Sequence, residues 1–281
     1  YGMNMIKKLL SALALMIAST AAMAAGGGYT LDKAPDRSTN LAALQNGAKL
    51  FVNYCLNCHA AGSVRYNTLK EIGLTDAQIK ESLLFTGDKV GDLMLGSINA
   101  KDGKAWFGVP PPDLTVMARA KSQSASVTGA DYIYTYLRTF YRDTSKPTGW
   151  DNLAFPNVGM PHALWERQGA RSMTAVVTHQ HGADWERVTT TYDPQGYVTS
   201  KTEKLKDFNG KASSDYTFKP VDAALAAAYD SDVADLTAFM QWMSEPIQQK
   251  RKQIGVWVML FLGLFLIVAW RLNASYWKHV K

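Results

Sequence analysis

Cys55-Leu56-Asn57-Cys58-His59 decides how this sequence of 281 residues reads. The chain has no other cysteine, so a disulfide framework is excluded and the pair is a local motif. Two thiols three positions apart face the same side of a helical turn, spaced to add across the two vinyl groups of one porphyrin. The next residue then presents an imidazole to the iron. A redox dithiol has no need of His59, and a zinc site requires a second ligand pair that the chain lacks. The pattern therefore implies one covalent haem c on Cys55 and Cys58, with His59 as an axial metal ligand.

Working outward, Leu41, Leu44, Ala48, Phe51 and Cys55 recur at spacings of three and four behind cap candidates Ser38, Thr39 and Asn40. This predicts an amphipathic helix running into the motif. Gly87 to Lys104 reads as loop with short helices, and Val109-Pro110-Pro111-Pro112-Asp113 as a rigid extended turn. Asp131 to Tyr141 predicts a helix with an aromatic face. Thr174 to about Leu205, with turn residues at Asp193-Pro194-Gln195-Gly196, predicts a hairpin inserted into a helical body. Asp222 to Met243 predicts a second amphipathic helix, ended by Pro246.

A sixth ligand is open on the residues alone. Outside the terminal apolar runs the methionines are Met94, Met117, Met160, Met173, Met240 and Met243, and the last two lie on a helix stripe that suits a core. Met160 stands apart in Pro156-Asn157-Val158-Gly159-Met160-Pro161, an irregular loop in which Gly permits close approach and Pro stiffens the chain. His162, His179 and His181 are histidine alternatives. His179 and His181 would share one face of a strand and suit a metal, although solvated polar histidines are the simpler reading. A thioether is soft and neutral, so His/Met ligation raises the potential over two histidines and leaves no open iron position.

Composition and charge narrow the class. With 47% hydrophobic and 19% charged residues the chain is neither disordered nor collagen-like. The net charge of +6 comes from the ends: residues 26 to 250 carry 23 basic against 24 acidic side chains. No polyanion-binding field is built into the body, so nucleic acid is not a partner. Lys7-Lys8, a short apolar run and Ala22-Met23-Ala24 read as a signal peptide over residues 1–24. Ile254 to Trp270 is a run of 17 uncharged residues between Arg251-Lys252 and Arg271, which spans a bilayer with its basic flanks snorkelling. The expected organisation is an exported body over 25–250, an anchor over 251–272 and a cytoplasmic tail over 273–281. The exported signal places the body on the periplasmic side of a bacterial inner membrane.

In combination these residues resemble the cytochrome c1 family, the haem subunits of quinol:cytochrome c oxidoreductase (the cytochrome bc1 complex). The likeness rests on the helix ending in Cys55-x-x-Cys58-His59 and on Pro111-Pro112-Asp113-Leu114 followed by Arg119 and Asp131-Tyr132. It continues through Gly159-Met160-Pro161 and Glu245-Pro246 before a single anchor. The resemblance implies a mainly α, class I cytochrome c-like haem domain with a small β-rich insert, about 172–218, and one C-terminal transmembrane helix. It implies Met160 as second axial ligand, Arg119 near a haem propionate and Tyr132 as a propionate hydrogen-bond donor. It further implies an electron-relay subunit with no quinol-oxidising site of its own. Its partners would be cytochrome b, a Rieske iron-sulfur protein that donates the electron, a soluble or membrane-attached cytochrome c that accepts it, and membrane lipid. Two rival readings are a stand-alone membrane-anchored cytochrome c serving a terminal oxidase or reductase, and a five-coordinate haem sensor.

Overall fold

Helix α1, Leu41–Leu50, starts where Asn40 accepts the Ala43 N–H through its side chain, and it buries Ala43, Leu44, Ala48 and Leu50. The predicted continuation to Cys55 holds its direction but widens: Phe51–Cys55 is a π turn, a local expansion that recurs at functional positions. The structure is a computed structural model that describes residues 29–182 and 184–279. The expected signal peptide lies outside the described residues.

Residues 31–281 form one unit, built on helices in the order α2 (Asp76–Ser82), α3 (Ala100–Phe107), α4 (Met117–Ala120), α5 (Gly129–Arg138), α6 (Trp165–Gln168), α7 (Ala223–Ser244) and α8 (Gln248–Tyr276). Asp222 caps α7 by accepting the N–H groups of Ala224 and Leu225. Its buried side chains, among them Val233, Leu236, Phe239, Met240 and Met243, form one core with Leu44, Ala48, Phe51, Leu56, Leu69, Ile72 and Ile133. The α1–α7 crossing depends on Gly47, where a Cβ would come within 2.2 Å of the Asp235 carbonyl oxygen and 2.6 Å of Phe239 Cβ. Beside it Asp235 accepts from Arg37 Nη1 at 2.6 Å and from Asn46 Nδ2 at 2.9 Å.

Helix α5 begins with a Thr128/Asp131 capping box and ends one turn before the predicted Tyr141. Phe140–Arg142 instead forms strand β3, paired with β4, Trp150–Asn152. Strand β1 (Ala61–Arg65), which begins just after the haem motif, pairs with β2 (Leu93–Met94).

The β-prone segment differs from the predicted single hairpin. Strands β5 (Arg171–His181), β6 (Asp184–Tyr192), β7 (Val198–Leu205) and β8 (Ser213–Pro220) form an antiparallel sheet in the order β7-β6-β5-β8. The returning strand β8 pairs with β5 from Arg171↔Pro220 to Thr178↔Ser213. Its Ser-Ser-Asp start carries little β signal, and tertiary pairing decides it. No residue of this sheet belongs to the main core cluster. Beyond Glu245-Pro246, α8 has no buried residue and is the helix, among the described residues, long and apolar enough to cross a membrane.

Candidate functional site

The π turn delivers Cys55 and Cys58 to a short loop, both residues half-buried and both thiols free. Burial pushes the Cys55 thiol up to about 12, with Cys58 adding to the effect, and burial raises Cys58 as well. Neither sulfur has the low pKa of a reactive dithiol. Among the described residues no group of three or more His, Cys, Asp or Glu side chains is placed to hold a metal ion.

His59 is held on the other side of the loop. Its Nδ1 lies 2.8 Å from the Pro112 carbonyl oxygen. A carbonyl only accepts, so Nδ1 carries the proton and Nε2 keeps a free lone pair. Burial lowers the His59 pKa, opposed by the Pro112 hydrogen bond and the Asp113 charge, and the ring stays neutral as a metal ligand must. Pro110 to Asp113 is thus the backbone wall that orients His59, and two further bonds fix its approach. Leu114 N–H donates to Ala60 O at 2.7 Å, and Gly62 N–H donates to Asp113 Oδ2 at 2.7 Å. Burial opposes ionisation of Asp113, but hydrogen bonds from Thr115 and Gly62 hold its carboxyl below the usual range.

Of the methionines, Met94, Met173, Met240 and Met243 are buried, and Met117 packs against the core. Met160 sits in an irregular loop, where Tyr136 O–H donates to its Sδ at 3.4 Å. A thioether sulfur has two lone pairs, and one remains for a metal. Tyr132 stacks on Tyr136 with centroids 5.9 Å apart, under Lys121 Nζ at 5.0 Å; burial raises both phenols. The structure thereby brings Tyr132 and Met160 into one cluster. Arg119 is exposed on α4, within electrostatic reach of Glu245 at the end of α7.

Tyr136 escapes a motif search, although the i, i+4 spacing of Tyr132, Tyr136 and Phe140 is its signature. His162 is buried and stacked on Phe140 at 4.5 Å with an interplanar angle of 4°. Burial first, then Arg171, pushes it down to about 3, a neutral core ring. His179 and His181 share a face of β5, His181 Nδ1 lying 3.7 Å from Glu186 Oε1.

The donor set fits a covalently held haem: two free thiols on one turn, an imidazole with its proton fixed on Nδ1, and a thioether on a separate loop. A model of the cytochrome C1 family matches residues 33–170 and 220–280. The chain belongs to the cytochrome c1 family. A cytochrome c1 from Allochromatium vinosum is 37% identical over 98% of this chain and 100% of its own length. A protein of Nitrosomonas europaea named ammonia monooxygenase gamma subunit is 38% identical over 99% of this chain and 100% of its own. A cytochrome c1 of Rhodospirillum rubrum is 25% identical over 99% of each chain. As cytochrome c1 family members do, the chain carries one covalently attached haem c and serves respiratory electron transport as a haem subunit of the bc1 oxidoreductase. The apolar α8 fits its membrane anchor.

Proposed function

We propose that this chain relays one electron from a Rieske iron-sulfur protein to a soluble or membrane-attached cytochrome c, within a complex whose quinol chemistry belongs to cytochrome b. Haem c, when bound, supplies a one-electron ferric/ferrous couple. Cys55 and Cys58 would hold it through thioether bonds, and His59 Nε2 and Met160 Sδ would be its iron ligands. An imidazole and a thioether together on the iron would favour electron transfer over ligand sensing. The observation that carries this reading is the His59–Pro112 bond, which fixes both the tautomer and the direction of the imidazole.

Around these ligands the chain supplies a class I cytochrome c-like helical scaffold. Arg119, exposed on α4, would offset propionate charge, and Tyr132, in the Tyr136 stack, would be a hydrogen-bond donor to a propionate. The body, residues 25–250, lies on the periplasmic side, with 251–272 in the bacterial inner membrane against cytochrome b and 273–281 in the cytoplasm. The signal peptide over 1–24 directs this orientation.

A reduced-minus-oxidised visible spectrum of the chain, purified from native membranes in mild detergent, tests the reading. It expects b-type bands in fixed ratio to the c-type band. A c-type band alone would point to a stand-alone anchored carrier. Co-purifying ammonia-oxidising activity in place of b-type haem would point instead to the partnership suggested by the name of the Nitrosomonas europaea relative.

A further inference from the structure

The sheet β5–β8 occupies the stretch 171–219 that the family model leaves unmatched, and it is fastened to the body at two places. At its root Arg171 Nη2 donates to the carbonyl oxygens of Arg138 and Phe140, at 2.7 and 2.5 Å, with its guanidinium 3.9 Å from the centroid of Phe218 on β8. The second place is the β6–β7 turn. There Asp193 Oδ1 accepts the N–H groups of Gln195 and Tyr197, and Gly196 O accepts from Thr144 N and Thr144 Oγ1 at 3.3 and 3.2 Å. Tyr192 packs edge-on against Tyr141, centroids 4.7 Å apart.

Both contacts land on the β3–β4 hairpin, and Tyr141 pairs in register with Asp151. Asp151 is buried. Its Oδ1 accepts the N–H groups of Asn157 at 2.7 Å and Asn152 at 2.8 Å, and its Oδ2 meets Lys146 Nζ at 3.0 Å. Lys146 also reaches Asn157 Oδ1 at 2.6 Å, across a residue whose φ of 60° is left-handed. Asn152 Oδ1 accepts the next two backbone donors, Ala154 and Phe155. The loop that ends at Met160 therefore has its backbone donors gathered on two adjacent side chains of β4, one of them a charged acceptor.

We propose that the sheet is a brace for Met160, with Asp151 as the positioning residue that passes its stiffness to the sulfur-bearing loop. This rests on the reading of Met160 as an axial ligand. Without the brace the loop opens more often, and the sulfur leaves its place without any change in the ligand itself.

The test uses the full-length haem-loaded protein, purified from membranes in detergent. Two readouts follow the sulfur: the far-red charge-transfer band between thioether and ferric iron, and the rate of carbon monoxide association with the ferrous form. Asp151→Ala strips the loop of its charged acceptor and is expected to speed carbon monoxide association by on the order of tenfold and to weaken the band. Gly196→Ala acts from the far side of the sheet. Its φ is 93°, and a Cβ there would lie 2.7 Å from Arg142 Cγ, so the turn must lift; the same change is expected, several-fold in size. Asp151→Asn keeps the Oδ1 acceptor but loses the Lys146 ion pair at Oδ2, and its effect is expected to fall between the unsubstituted protein and Asp151→Ala. If Asp151→Ala does not accumulate, Gly196→Ala decides alone. An intact band and unaltered carbon monoxide rate in Gly196→Ala, or a lowered melting temperature with both readouts unmoved, overturns the proposal. Met160→Leu runs in parallel and should abolish the band. If it leaves both readouts unchanged, the ligand is another residue and the brace falls with that reading.

Discussion

Tyr136 donates its O–H to the Met160 sulfur, and with Met160 as the proposed iron ligand this bond would draw density from a thioether that ferric iron needs more than ferrous iron does. Tyr136→Phe is therefore expected to lower the midpoint potential while leaving the haem attached. A bond of about 1 kcal/mol corresponds to ~40 mV for one electron. A redox titration that finds the potential unmoved or raised would refute this role. Asp131 is legible for a different reason. The sequence offers it beside Tyr132, and the structure uses it as a buried tie between α5 and the N-terminal segment. Burial works against its ionisation, but Lys33 Nζ, the Ala34 N–H and Thr128 together hold its carboxyl below the usual range. A lowered folded-state pKa contributes stability that is present above the ordinary carboxylate pKa of about 4 and is lost as pH falls below it. Asp131→Asn should thus be less stable at pH 7, and the gap should close on acidification in urea titrations run across pH. At this scale the sequence reveals Cys55, Cys58 and His59 because covalent attachment demands a fixed spacing. It hides Tyr136, Asp151 and Asn152, whose partners lie in other elements and follow no spacing rule.

The helices are legible where burial is periodic. α1, α5 and α7 all lie within a few residues of their predicted spans; α1 and α5 each turn one apolar stripe toward a shared core, whereas α7 is buried on every face from Val233 to Met240. Chain order alone does not reveal their closest contact. Gly47 permits α1 to lie on the backbone of α7, and Gly47→Ala should force the pair apart at a cost of about 1–3 kcal/mol, with a fall of several degrees in the melting temperature. A variant that melts with the parent would mean the crossing relaxes freely. The sheet was only half visible for a related reason. The hairpin predicted around Asp193-Pro194-Gln195-Gly196 is the β6–β7 pair, whereas β8 is specified by the strand it pairs with, at a separation of some 40 residues.

Across the whole molecule, the haem-bearing body and the anchor meet at Glu245-Pro246. Glu245 accepts from Arg251 Nε at 2.5 Å and Nη2 at 3.1 Å, and Gln249 Nε2 donates to Ser38 Oγ at 3.2 Å. No residue of α8 is buried against the body, so a chain ended after Ile247 should be recovered in soluble form with its reduced c-type spectrum intact; loss of haem or aggregation would show that the anchor helps to hold the fold. The membrane span and the haem motif stand out in the sequence as a run and a spacing, while the brace on the Met160 loop needs three dimensions to be seen. The α1–α7 contact also imposes an order on biogenesis. The chain emerges amino end first, so Cys55 and Cys58 are made long before residues 223–244, which supply the surface that α1 must cover. Until α7 is made, α1, which runs into the thiol-bearing turn, lacks the surface it packs on.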